Sequence, residues 1–321
     1  MIAPAIASVE VGTHTARLLL ARAASGSTLF QTLARERRTI RLADGFGSLG
    51  SGVIQNDAAR RAAEAVGFFT RIVREAGGEI VRAVSTGVTR TAKNRHEFIQ
   101  GILDETGVRI CPVSGEEEAG LTARGVLYAL GYVNGPYVIF DLGGGTTEFV
   151  IRRRVEAEGG KFISLPLGAL LLKEAFFHED PLSANALAAA SHCVDKTLWE
   201  GIPDPTGFHS PPLLIGSGGT LTTLAAMALG IEVREIGPER MNGLLLQRGT
   251  LEALYDLIIR LPFESRRRLR GLDPGRADVI PAGALAVLRI LHYFEASQVV
   301  VCLSDILEGL LIEYLQGDGH E

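Results

Sequence analysis

VIFDLGGGTTEFVI, residues 138–151, climbs through an apolar strand, sets down an acid at Asp141, places three glycines in a row and then returns to apolar residues. A plain hairpin turn needs one or two glycines, because glycine takes positive φ without strain. Three of them beside Asp141, Thr146, Thr147 and Glu148 predict a backbone shaped around a ligand. Successive N–H groups in such a turn form an anion-binding concavity, and neighbouring acids hold a cation.

The pattern recurs near the start of the chain. EVGTHTARLLL at residues 10–20 and DLGGGTTEFVI at residues 141–151 both carry an acid, Gly two places on, Thr five places on and apolar residues at eight, nine and ten. Each follows an apolar strand, AIASV in one case and YVIF in the other. The chain therefore uses one strand, Gly-turn, strand device twice, 131 residues apart. Two such turns facing each other across a cleft would grip a polyphosphate and its metal from both sides.

Length and composition agree with a two-domain enzyme or binding protein. At 321 residues the chain exceeds one ordinary core and fits two domains of roughly 100 to 200 residues. Apolar residues make up 46% and charged residues 21%, a globular composition. Cys111, Cys193 and Cys302 lie far apart with no C-x-x-C pair, which points to a reducing cytoplasm and to neither a disulfide framework nor a zinc site. MIAPAIASVEV has no basic n-region and reads as a first strand, not a signal peptide. The longest uncharged run, residues 125–140, is broken by Asn134-Gly135-Pro136 and reads as helix, turn, strand, with no membrane span. A net charge of −5 argues against broad nucleic-acid binding, and the basic clusters at residues 35–41, 152–154 and 266–270 read as solvated surface.

Two further segments carry chemistry. LLIGSGGTLTTLAAMALG enters a helix near Thr220 from a glycine loop at residues 216–219, and a helix N-terminus presents free N–H groups to anions. Leu221 stands where a dinucleotide fingerprint needs its third glycine, and no G-x-x-x-x-G-K-[ST] occurs, so the Rossmann and Walker readings both fail. In CPVSGEEEAGLTARGVLYAL, Ser114 and Glu117 have capping-box spacing. The macrodipole favours acids in a first turn, but capping uses only one or two of the three glutamates. Glu118 faces a different side from Glu117 and is the candidate general base.

In order, EVGTHTARLLL, RLADGFG, STGVTRTAKNRHEF, VSGEEEAGL, FDLGGGTTEF, SLPLGA, GSGGTLTTLAAM and GLDPGRADVIPAGA make the chain resemble the exopolyphosphatase and guanosine pentaphosphatase family in its short form. The resemblance implies an α/β fold of two ribonuclease H-like domains, similar to actin, sugar kinases and heat-shock ATPases, around a central cleft. The first domain is expected at residues 1–124 plus about 306–321, the second at 125–305. The implied chemistry is metal-dependent hydrolysis of a terminal phosphoanhydride. Glu118 matches the catalytic glutamate, and Asp141 and Glu148 match the positions that hold Mg²⁺ or another divalent cation, with Glu10 opposite them. Phosphate contacts are expected from Gly12, Thr13, His14, Arg17 and Arg90, from Gly143, Gly144, Gly145 and Thr146, and from Gly216, Gly218 and Gly219. The expected ligand is polyphosphate or guanosine penta- or tetraphosphate in the cytoplasm, without nucleic acid or membrane, and dimerisation is left open.

The chain departs from the family pattern at four places. The first turn usually begins with Asp and continues Ser-Asn-Ser after its glycine, where this chain has Glu10 and Thr13-His14-Thr15. Leu171 and Leu307 stand where arginines are usual, and losing two cations weakens the grip on a polyanion. His14 replaces part of that charge when protonated, or hydrogen-bonds as a neutral side chain. Two alternatives therefore accompany the hydrolase reading: a sensor that binds polyphosphate or guanosine tetraphosphate without turnover, and an ATPase or kinase of the same superfold.

Overall fold

The computed structural model describes residues 3–24, 28–46, 52–131, 133–153, 160–204, 207–208 and 212–317. Contacts divide the chain into two compact units, residues 1–125 with 306–321 and residues 126–305. Each has its own mixed sheet.

The first unit begins with β1 (Ala5–Val11), β2 (Thr15–Ala23) and β3 (Phe30–Thr39), followed by α1 (Asn56–Glu75), β4 (Gly78–Ser85), α2 (Arg95–Thr106), β5 (Cys111–Pro112) and α3 (Gly115–Leu130). Its strand order is β3-β2-β1-β4-β5, antiparallel from β3 to β1 and parallel from β1 to β5. All seven residues of β1 are buried, as a central strand covered on both faces requires. On α1 the buried Ala58, Ala62, Ala65, Val66, Phe69 and Val73 recur at helical spacing and form its inner stripe.

The second unit contains β6 (Tyr137–Leu142), β7 (Thr147–Arg152), β8 (Lys161–Leu165), α4 (Ala169–Phe176), α5 (Ala184–Gly201), β9 (Leu213–Ser217), α6 (Gly219–Leu229), α7 (Pro238–Met241), β10 (Leu244–Gln247), α8 (Arg248–Arg260), α9 (Phe263–Arg266), α10 (Ile280–Tyr293) and β11 (Gln298–Val301). The sheet runs β10-β11-β9-β6-β7-β8. Read from β8 inward, three antiparallel strands are followed by two parallel ones, the order of the first sheet, and β10 adds an outer antiparallel strand. Phe140 and Phe149 stack at 6.2 Å in the core between this sheet and its helices.

The chain closes with α11 (Ile306–Gln316), whose Ile306 and Leu310 pack with Val84, Val113 and Leu121 of the first unit. Ser8 donates its hydroxyl to the Leu307 carbonyl at 2.8 Å, and Arg35 of β3 pairs with Glu308. These contacts identify the face of the first sheet that α11 covers. The uncharged run at residues 125–140 is the end of α3, a connection and the start of β6, and among the described residues no helix is long and apolar enough to cross a membrane.

The two hairpins are duplicates down to their hydrogen bonds. Glu10 pairs with Arg17 across β1 and β2, and Asp141 pairs with Glu148 across β6 and β7, at equivalent register. Gly12 N–H donates to the Thr15 carbonyl at 3.0 Å, and Gly143 N–H to the Thr146 carbonyl at 2.9 Å. Gly143 does not need a left-handed φ; it needs space, because a Cβ there would lie 3.0 Å from the Thr146 oxygen. At Gly12 a Cβ would lie 3.1 Å from both the Thr15 carbonyl oxygen and Glu10 Oε1.

Each turn is also held from outside. The carbonyls of Thr13 and His14 accept N–H groups from Leu42 at 2.7 Å, Ile40 at 2.9 Å and Arg41 at 3.0 Å. In the second unit the start of α4 does the same work, with Ala169 N–H on the Gly143 carbonyl at 3.0 Å and Leu170 and Leu171 N–H on the Gly144 carbonyl at 2.9 and 3.2 Å. With its first N–H groups spent on the turn, α4 locks the peptide planes of residues 143–144. Gly168 permits this approach, since a Cβ there would lie 2.3 Å from the Gly144 oxygen. Gly168→Ala is therefore expected to cost about 1–3 kcal/mol in urea unfolding through overpacking against backbone. Gly101→Ala in α2, where a Cβ meets open space, is expected to stabilise by up to about 1 kcal/mol. Equal responses of the two variants would contradict the seating of the turn on α4.

Candidate active site

In the first unit the β1 strand delivers Glu10 to the lip of the turn. Its carboxylate is fully engaged within the unit: Oε1 accepts the Thr86 hydroxyl at 2.9 Å, and Oε2 accepts Arg17 Nε at 2.5 Å. Thr86 follows β4, so β1, β2 and the end of β4 are tied together by this one side chain. The next residue, Gly87, has φ 62° and lies against Thr13, where a Cβ would meet Thr13 Oγ1 at 2.0 Å. Thr13 Oγ1 accepts the Val88 N–H at 3.1 Å, which fixes the short 3₁₀ turn Gly87–Arg90 beside the hairpin turn. His14 is buried at the same turn.

That 3₁₀ turn ends in Arg90, and Arg90 pairs with Glu118. The first turn of α3 separates its three glutamates by environment. Ser114 Oγ accepts the Glu117 N–H at 3.1 Å and the Glu117 carboxylate accepts the Ser114 N–H at 3.4 Å, a complete capping box. Glu116 and Glu117 are exposed, while Glu118 is 5% exposed and turned inward. Capping thus accounts for Glu117 and does not account for Glu118. A buried carboxylate oriented by a guanidinium is equipped to orient water and accept its proton.

In the second unit Asp141 and Glu148 stand directly opposite each other, and both are buried. Ser164 of β8 donates its hydroxyl to Glu148 Oε1 at 2.7 Å. The Thr147 hydroxyl bonds the Leu167 carbonyl, and so ties β7 to the strand-to-helix link ahead of α4. Gly218 has φ 92° and closes on Asp141, where a Cβ would lie 2.6 Å from Oδ1. Any side chain at Gly218 would displace the carboxylate. Gly219 opens α6 with the Arg276 guanidinium against it, at 2.1 Å from an added Cβ. Gly216 sits inside β9, where its missing side chain makes room for the Phe140 ring.

The first unit thus gathers Glu10, Gly12, Thr13, His14, Arg17, Arg90 and Glu118. The second gathers Asp141, residues 143–146, Glu148, Gly218 and Gly219. Sequence reasoning assigned no role to Thr86, Gly87, Ser164, Gly168 or Arg276, although each lies in a quoted motif. Arg276 is the most informative of them, because it is 8% exposed and places a cation against the positive end of a helix. Among the described residues no group of three His, Cys, Asp or Glu side chains is placed to hold a metal ion.

The comparisons with known proteins bear on the chain as a whole. Exopolyphosphatase 2 of Mycobacterium tuberculosis is 28% identical over 323 residues, covering 96% of this chain and 97% of the relative. The guanosine-5'-triphosphate,3'-diphosphate pyrophosphatase of Vibrio vulnificus is 27% identical, covering 97% of this chain and 59% of the longer relative. A crystal structure of the Aquifex aeolicus member of the Ppx/GppA family superposes with a TM-score of 0.76 at 28% identity, covering 99% of both chains. The family model of the Ppx/GppA phosphatases matches residues 19–317, and the chain therefore belongs to the Ppx/GppA phosphatase family, a family of phosphoanhydride hydrolases.

Proposed function

We propose that the protein releases terminal phosphate from inorganic polyphosphate, guanosine pentaphosphate or both, by in-line attack of a water that Glu118 orients and deprotonates. The observation that carries this reading is the separation of Glu118 from its neighbours: it is the one glutamate of the three that is buried, and it is held by Arg90. Free thiols at Cys111, Cys193 and Cys302 accord with action in a reducing compartment such as the cytoplasm.

Asp141 and Glu148 fit a divalent cation chemically. Hard oxygen donors suit Mg²⁺, which is commonly held by one or two carboxylates with water and substrate phosphates completing its shell. When bound there, the ion would neutralise charge on the phosphates. With the Gly143 and Gly144 carbonyls engaged by α4 and the Gly143 N–H by the Thr146 carbonyl, the N–H groups of Gly144 and Gly145 are the ones offered to phosphate oxygens. The start of α6 and Arg276 add a further anion seat in the same unit. In the first unit Arg90, paired with Glu118, would also contact phosphate, and Glu10 serves to fix Arg17 and Thr86.

Glu118→Gln keeps the shape and one hydrogen bond but cannot accept a proton, so phosphate release is expected to fall roughly 100-fold or more while substrate affinity persists. Glu117→Gln removes a helix cap and is expected to leave turnover near wild type. The assay is phosphate release with Mg²⁺ on polyphosphate, guanosine pentaphosphate and ATP. Turnover unchanged in Glu118→Gln would overturn the assignment. Binding without turnover in the wild type would select the sensor reading, which the leucines at 171 and 307 and the altered first turn favour. Preference for ATP would select an ATPase.

A further inference from the structure

Threonines in the helices of this chain follow one habit. Thr70 in α1, Thr106 in α2, Thr197 in α5 and Thr223 in α6 each donate the hydroxyl to the carbonyl four residues back, at 2.9 Å to Val66, 2.6 Å to Ile102, 2.8 Å to Cys193 and 2.7 Å to Gly219. The bond gives a helical hydroxyl a partner without leaving its own helix. Thr122 of α3 departs from the habit. It is 1% exposed, and its Oγ1 has no hydrogen-bond partner among the described residues. A buried hydroxyl left in that state costs stability that an isosteric valine would not.

Thr122 stands four residues after Glu118 on the same helix, so the two buried side chains lie one above the other on one face of α3, with Cβ atoms about 5–6 Å apart. Side chains in a helix lean toward its N-terminus, which carries the Thr122 hydroxyl toward the turn that bears Glu118. Arg90 pairs with Glu118 in this structure, and in the proposed reaction Arg90 also contacts phosphate. A guanidinium drawn to phosphate holds the carboxylate less firmly, and the base then needs a second donor. Resting on the hydrolase reading above, we infer that Thr122 is a positioning residue: its hydroxyl donates to the Glu118 carboxylate when Arg90 turns to phosphate and keeps the base aimed at the attacking water. A hydroxyl tied to the carbonyl of residue 118 would be less free to do this.

Steady-state phosphate release from polyphosphate with Mg²⁺, together with urea unfolding, tests this on the full chain with wild type, Thr122→Val, Thr122→Ala, Thr122→Ser and Thr70→Val. Thr122→Val is expected to lower kcat roughly tenfold, the scale of one hydrogen bond to a charged group, with KM within about twofold and the urea midpoint raised. Thr122→Ala, which also lacks the hydroxyl, is expected to lose kcat equally. Thr122→Ser keeps the hydroxyl and is expected to hold kcat near wild type, as is Thr70→Val, which removes a hydroxyl far from Glu118 in sequence. On top of Glu118→Gln, Thr122→Val is expected to cost little more, because the two side chains act as one unit. A raised urea midpoint with kcat unchanged in Thr122→Val would reduce the hydroxyl to an unmet structural group and overturn the inference. A loss that Thr122→Ser shares, or a second tenfold loss on top of Glu118→Gln, would overturn it too. Failure of the hydrolase reading looks different: the wild type releases no phosphate, or Glu118→Gln alone releases it at the wild-type rate.

Discussion

Two buried carboxylates, Asp141 and Glu148, face each other across adjacent strands, and this opposition constrains everything around it. Ser164 anchors one carboxylate, and the left-handed Gly218 closes on the other. The α4 N-terminus grips the turn between them. The proposed divalent cation is placed at this pair because both side chains offer the hard oxygen donors that Mg²⁺ takes.

The duplicated hairpin in the first unit solves the same problem differently. At the register of Glu148 it carries Arg17, so Glu10 is neutralised within its own hairpin and both of its oxygens are engaged. The Glu10 side chain spans to Arg17 Nε and to the Thr86 hydroxyl together. One scaffold thus supplies a turn with two facing carboxylates in one unit and an arginine-bearing turn in the other. The proposed catalytic carboxylate comes from neither hairpin but from the first turn of α3, paired with Arg90 from the 3₁₀ turn that packs on Thr13.

Much of this was legible in the sequence, because hairpins and caps are local. The acid, glycine and threonine spacing exposed both turns, and Ser114-x-x-Glu117 exposed the cap that singles out Glu118. The repeated strand order of the two sheets was not legible in residue patterns, since parallel pairing joins segments far apart in the chain. Arg276, Gly168 and Thr86 were missed for a related reason: each acts through a contact with a residue distant in sequence. Gly216 looked like part of the phosphate loop and lies within β9, where the Phe140 ring is what requires a glycine. The basic run at residues 35–41 read as surface, and only the strand register showed that its residues divide between two faces.

The most direct test of the account is where a divalent ion binds in the absence of substrate. Calorimetric titration with Mn²⁺, as a spectroscopically accessible substitute for Mg²⁺, would compare wild type with Asp141→Asn, Glu148→Gln and Glu10→Gln. The account predicts that either change in the second unit weakens the ion about tenfold or more, while Glu10→Gln leaves it in place. Loss of the ion in Glu10→Gln with retention in Glu148→Gln would contradict it.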